Sequence, residues 1–89
     1  MPIISQFYGI IISMHYRENE QHKLPHLHAE YGDFDAVYDF DSKKIGGTIP
    51  NKQHKMIQAW ILIHQDELKA LWKLVETKRD GWFRIDPLK

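Results

Sequence analysis

From Ile10 the chain alternates between apolar and polar positions. Ile10, Ile12, Met14 and Tyr16 fall on one face of an extended strand, and Ile11, Ser13 and His15 on the other. Ahead of it, Phe7-Tyr8-Gly9 reads only as an aromatic turn feeding this strand. Residues 17–25 are polar and end in Pro25, which keeps Leu24 extended and lets a new strand start after it. His26 to Tyr31, Gly32-Asp33 and Phe34 to Phe40 then read as a hairpin, because a glycine supplies the positive φ of a two-residue primed turn. Counting outward from the turn pairs Tyr31 with Phe34, Glu30 with Asp35, Ala29 with Ala36, His28 with Val37, Leu27 with Tyr38 and His26 with Asp39. Leu27, Ala29, Tyr31, Phe34, Ala36 and Tyr38 then share one apolar face. A slip of one residue would destroy it.

Asp41-Ser42 makes the next turn. Lys44 to Ile49 is a weaker strand, since Gly46-Gly47 loosens the backbone and points to a bulge or an edge. Pro50-Asn51 marks the switch to helix. From Met56 the apolar stripe runs through Ile57, Trp60, Ile61, His64, Leu68, Leu71, Trp72 and Val75, mostly three or four apart. One helix of about 26 residues fits this period, with a kink allowed at Gln65-Asp66, where Asp66 can cap a second helix. Lys78 and Arg79 suit the negative end of the helix dipole, and Gly81 can stop it. Phe83 to Ile85 predicts a short last strand. Strands first and helix afterwards give an α+β class: a small, mostly antiparallel sheet with one long C-terminal amphipathic helix packed on one face.

A chain of 89 residues accommodates one domain, here residues 1–89. It carries twelve basic and twelve acidic side chains, six histidines and no cysteine. The missing cysteines exclude a disulfide scaffold and thiolate chemistry. The net charge of zero argues against a protein that coats nucleic acid electrostatically, though a local basic patch remains open. The longest apolar runs, such as Ala59 to Ile63, are far short of the ~20 residues of a membrane span. The N-terminus lacks the basic stretch of a signal peptide. These features predict a cytoplasmic protein with no membrane partner.

With a helix on one face only, the other face must meet solvent, a partner or a ligand. It collects Ile11, Ser13, His15, His26, His28, Glu30, Asp35, Val37 and Asp39. Glu30 opposite Asp35 is a like-charge cross-strand pair, which destabilises unless a cation sits nearby. A metal ion, a lysine or a partner's arginine would serve. His26 and His28 lie on the same side about 7 Å apart, so both can reach one divalent metal. His15 or His22 would add a third nitrogen, and Glu30 or Asp39 an oxygen. The bland alternative is a set of surface histidines bonded at a sheet edge. His26 with Asp39 could also do acid–base work on a phosphodiester. His64, on the apolar stripe, reads as a core histidine bonded to a backbone group or a carboxylate. Lys52, His54 and Lys55 crowd the helix N-terminus, a candidate phosphate contact weighed against a solvated charged turn.

Several blocks resemble one family. They are Phe7-Tyr8-Gly9-Ile10 with Ile12-x-Met14, then Leu24-Pro25-His26-Leu27-His28-Ala29-Glu30-Tyr31-Gly32. Gln58-Ala59-Trp60-Ile61, His64-x-x-Glu67-Leu68, Trp72 and Ile85-Asp86-Pro87-Leu88 follow. Together these resemble the small bacterial domain-of-unknown-function family numbered 4160, over essentially the whole chain. Its members usually carry a polar residue where this chain has Leu71, a departure that bears on helix packing. The resemblance implies no agreed activity and no catalytic residues to transfer. It implies a neighbouring small gene, in an arrangement like a toxin–antitoxin or regulatory pair, and hence a small protein partner.

Three functions follow as expectations. The first is an interaction module, half of a two-protein regulatory or toxin–antitoxin-like pair, using the uncovered sheet face or the sheet edge. The second is a small metal-dependent phosphodiesterase or nuclease with His26 and His28 as ligands. The third is a DNA-binding regulator touching phosphate through Lys52 and Lys55, although no helix-turn-helix geometry is evident. A homodimer through an unpaired edge strand is compatible with so small a core.

Overall fold

A computed structural model describes residues 3–14, 24–76 and 83–88. Five strands come first: β1 (Ile3–Phe7), β2 (Ile10–Ser13), β3 (His26–Tyr31), β4 (Phe34–Asp39) and β5 (Lys44–Thr48). Two helices follow, α1 (Asn51–Ile63) and α2 (Gln65–Glu76). The strands form one antiparallel sheet in the order β1-β2-β3-β4-β5, so each strand pairs with its neighbour in sequence.

The β3–β4 hairpin has the expected register at all six pairs, from Tyr31 with Phe34 to His26 with Asp39. Gly32 sits at φ 57° in its turn, a conformation glycine adopts without a Cβ penalty. β5 is an edge strand, as the glycines indicated, and β1 is the other edge of the described sheet. The register of β5 slips between Val37 and Tyr38, leaving Ile45 as the extra residue of a bulge. Gly47, at φ 77°, lies so close to β4 that a Cβ there would stand 2.3 Å from the Asp35 carbonyl oxygen.

Strand β1 is a finding that the alternation did not reveal. Its register with β2 also shifts, between Ile3 and Ser5, so Ile4 and Ser5 are both buried and the period of two is lost. The single long helix is also corrected. It begins at Asn51, where the Pro50-Asn51 switch placed it, but breaks at His64, whose φ of −110° and ψ of 23° leave the helical range. The apolar stripe runs across the break, so its period alone could not locate it. Asp66 and Glu67 stand in the first turn of α2, where the helix dipole favours acids. Phe83 to Ile85 is irregular and not a strand, though the Ile85 N–H donates to the Ile4 carbonyl at 2.8 Å. The expected roles of Tyr16, Lys78, Arg79 and Gly81 lie outside the described residues.

Both helices pack on the same sheet face. The core joins Ile4, Ile10, Ile12, Leu27 and Tyr38 of the sheet to Ile57, Trp60, Ile61, Leu68 and Leu71 of the helices. Trp60 is fully buried, its ring 5.6 Å from Phe7 and its Nε1–H donated to the Asp86 carbonyl at 2.8 Å. It ties α1 to β1 and to the C-terminal segment. The Gln65 amide donates to the Phe40 carbonyl at 2.8 Å and ties α2 to the end of β4. Leu71, where the family usually has a polar residue, is fully buried, so the apolar side chain suits its place.

Gly47 and Gly32 differ in a way that stability measurements can read. Gly47→Ala combines a positive φ with a backbone clash and should destabilise by about 1–3 kcal/mol. Gly32→Asn meets nothing within 4 Å and asparagine tolerates positive φ, so its cost should stay within about 0.5 kcal/mol. Urea denaturation of both variants beside the parent checks the contrast.

Candidate functional site

The uncovered face is laid out in rows by the sheet register. Gln6, Ile11, Glu30, Asp35 and Thr48 are successive cross-strand partners and form one row over all five strands. Ile11 is half-buried and the other four are exposed. At its centre, Glu30 and Asp35 stand directly opposite, with Cβ atoms about 4.5–5.5 Å apart by strand geometry. Neither makes an ion pair among the described residues. The row contains no lysine or arginine. The like-charge pair therefore stays uncompensated within the described part of the chain.

This row lies toward the end of the sheet that carries the Tyr8-Gly9 and Gly32-Asp33 turns. Tyr8 and Gly9 have φ of 49° and 79°, the signs of a type I′ turn. That turn prefers asparagine or glycine at its first position. A tyrosine there is strained, and this one is 62% exposed, so its ring returns little packing energy to the fold. An exposed aromatic held in a strained turn beside an acidic row is the pattern of a recognition residue. The turn itself falls where Phe7-Tyr8-Gly9 placed it, feeding β2.

The histidine cluster is only partly assembled. His26 does not lie open on the uncovered face. It is buried, its Nδ1–H donates to the Leu24 carbonyl at 2.8 Å, and its ring lies 5.4 Å from that of Trp72. His26 and His28 keep to the same side of the strand, as their spacing implies, but at the strand end Trp72 of α2 packs over His26. His28 is half-buried, its ring 5.4 Å from that of His26 in a T-shaped arrangement. His15 and His22 lie outside the described residues. Among the described residues no three His, Asp or Glu side chains come together to hold a metal ion. Asp39, weighed as an oxygen ligand and as the partner of His26, has another task. Its Oδ1 accepts the N–H groups of Asp41 and Lys43, both at 2.9 Å, and shapes the β4–β5 turn. Ser13, expected on the open face, is buried.

Lys52 and Lys55 are exposed near the start of α1. Pro50 is the N-cap, without a side-chain cap, and the first turn holds no acid. His54 turns from the two lysines to Tyr38: its Nδ1 and the Tyr38 hydroxyl share a hydrogen bond of 2.7 Å, and the two rings stack at 5.6 Å. Burial pushes the Tyr38 hydroxyl from its ordinary 10.0 up to about 12. His64 has the carboxylate partner its place on the stripe suggested. Its Nδ1–H donates to Glu67 Oε1 at 2.6 Å, and its ring lies 5.3 Å from Trp60. The Trp60-x-x-x-His64-x-x-Glu67-Leu68 block is thus a structural joint between the helices.

The molecule is a two-layer α+β domain, a five-stranded antiparallel meander covered on one face by a broken helix. The family described as "Domain of unknown function (DUF4160)" matches residues 9–73, and the chain belongs to it. That stretch runs from the first turn to α2 and includes the acidic pair. No curated protein matches the chain. No solved structure matches it either. No helix is long and apolar enough to cross a membrane, among the described residues.

Two measurements probe these side chains. Tyr8→Asn creates an Asn-Gly turn and should raise stability by about 1 kcal/mol, read as an upward shift of the urea midpoint. Tyr38 should ionise above the ordinary tyrosine value of 10.0, at about 12. Its pKa is higher folded than unfolded, so the stability it contributes is complete below pH 10.0 and is lost as pH climbs toward about 12. Near-ultraviolet titration and denaturation at alkaline pH should show both effects, and Tyr38→Phe should remove them.

Proposed function

We propose that this domain is a protein-interaction module, one half of a two-protein regulatory pair of the toxin–antitoxin kind. The uncovered sheet face is its docking surface. The observation that carries this reading is the Glu30–Asp35 pair, two exposed carboxylates held side by side with no neutralising cation among the described residues. Such a pair costs stability in the free chain. A partner that brings lysine or arginine to this row would relieve the repulsion on binding. Tyr8, at the neighbouring turn, supplies the aromatic anchor. The partner is a small protein from a neighbouring gene that presents a basic surface.

The β5 edge is the less suitable surface. β5 is short, bulged at Ile45, bent at Gly47 and begins with Lys44, the devices by which edge strands avoid pairing. The metal-dependent reading finds no assembled ligand set among the described residues. The DNA-binding reading rests on two exposed lysines at a helix start, with no second feature beside them.

Co-expression with the neighbouring gene product, followed by titration calorimetry, tests the proposal. Glu30→Gln and Asp35→Asn should each stabilise the free domain by about 0.2–1 kcal/mol. Each should weaken the complex, and Glu30→Lys should weaken it by an order of magnitude or more. A chelator should leave the complex intact. A complex indifferent to all three variants would overturn the assignment of this face. Loss of the complex on chelation would turn attention back to the histidines.

A further inference from the structure

The outer side of α1 is apolar where a surface helix should be polar. Gln53, Ile57, Trp60 and Ile61 are buried on its inner side. On the opposite side stand Lys52, Lys55, Ala59 and Leu62, all exposed, with Ile63 beside them. Leu62 is 55% exposed and Ile63 65%, the highest value among the large hydrophobic residues that face solvent. The helix is apolar on both sides over its second half, which the inner core alone does not require.

The charges flanking this stripe are ordered. Basic residues precede it, and the first turn of α1 holds no acid. Asp66 and Glu67 follow it, in the first turn of α2. A stripe that is basic at one end, apolar in the middle and acidic at the other is complementary to itself when turned around. From these observations we infer that α1 is the seam of a homodimer, in which a second copy of this chain packs antiparallel against the outer stripe. Ala59 leaves a shallow hole, and Leu62 of the partner subunit fills it. Antiparallel packing of the stripe on itself brings Lys55, near the basic start of α1, toward Asp66 of the partner subunit, just past the break at His64. A two-fold axis makes every such contact occur twice. The seam is small, so the dimer should dissociate on dilution.

This seam is on the helical layer, on the other side of the domain from the acidic row. The dimer would be a sheet–helix–helix–sheet sandwich with both acidic faces outward, able to hold two partners. The inference does not depend on the proposed function, and either can fail alone.

Sedimentation equilibrium of the full chain over a concentration series is the test, with circular dichroism to verify folding. The parent should show a monomer–dimer equilibrium. Leu62→Asp and Ile63→Asp, both at exposed positions, should be folded monomers. Lys55→Glu and Asp66→Lys should each weaken association several-fold, and the charge-swapped double variant should recover most of the loss. Three results would each overturn the inference: a monomer at every concentration, a dimer that persists in both aspartate variants, or single-charge effects that the double variant fails to repair.

Discussion

Two helices of 13 and 12 residues can cover only one face of a five-stranded sheet. Everything distinctive about this domain follows from that constraint. The inner face and the helices form the core, and Ile10, Ile12, Leu27, Ala29, Ala36 and Tyr38 face it in strict alternation. The outer face is open and mostly polar along the row of Gln6, Ile11, Glu30, Asp35 and Thr48, and closes toward Ser13 and His26. The register sets Glu30 opposite Asp35 because Leu27, Ala29 and Tyr31 must face inward. The carboxylate pair is thus a consequence of core register, but its charge is not. Glutamine or threonine at either position would satisfy the same pattern without repulsion.

Trp60 holds the covered side together. Its ring meets Phe7 of the first strand and His64 at the helix break, and its indole N–H meets the backbone at Asp86. One residue therefore fixes two separate parts of the chain to α1 and packs against its C-cap. His64 and Glu67 then set the angle at which α2 departs. This explains why a histidine sits on an apolar stripe: its ring packs against tryptophan while its N–H reaches a carboxylate one turn later.

Much of the sheet was legible in the chain itself. The β3–β4 register could be counted outward from Gly32-Asp33 because a two-residue turn leaves no slack. The glycines of β5 announced its bulge. The first strand was not legible, because the shift between Ile3 and Ser5 buries two successive residues and erases the alternation. The helix break was placed only to within a residue or two, since neither proline nor glycine marks it and the stripe continues through it. Of the candidate site, the acidic pair was readable from register alone. The proximity of His26 and His28 followed from their spacing, but strand counting does not foresee that Trp72 of α2 packs over His26 at the strand end. The turn at Tyr8-Gly9 was legible, while the positive φ of Tyr8 was not, because composition does not show it.

The central claim is that Glu30 and Asp35 repel each other in the free domain and are relieved by a basic partner. A double-mutant cycle between Glu30→Gln and Asp35→Asn measures this directly, from stability in the free domain and from affinity in the complex. An unfavourable coupling of about 0.2–1 kcal/mol should separate the two carboxylates in the free chain. In the complex the coupling should vanish or change sign, because one cation then serves both. Zero coupling in the free domain, or the same repulsion with and without the partner, would contradict the claim.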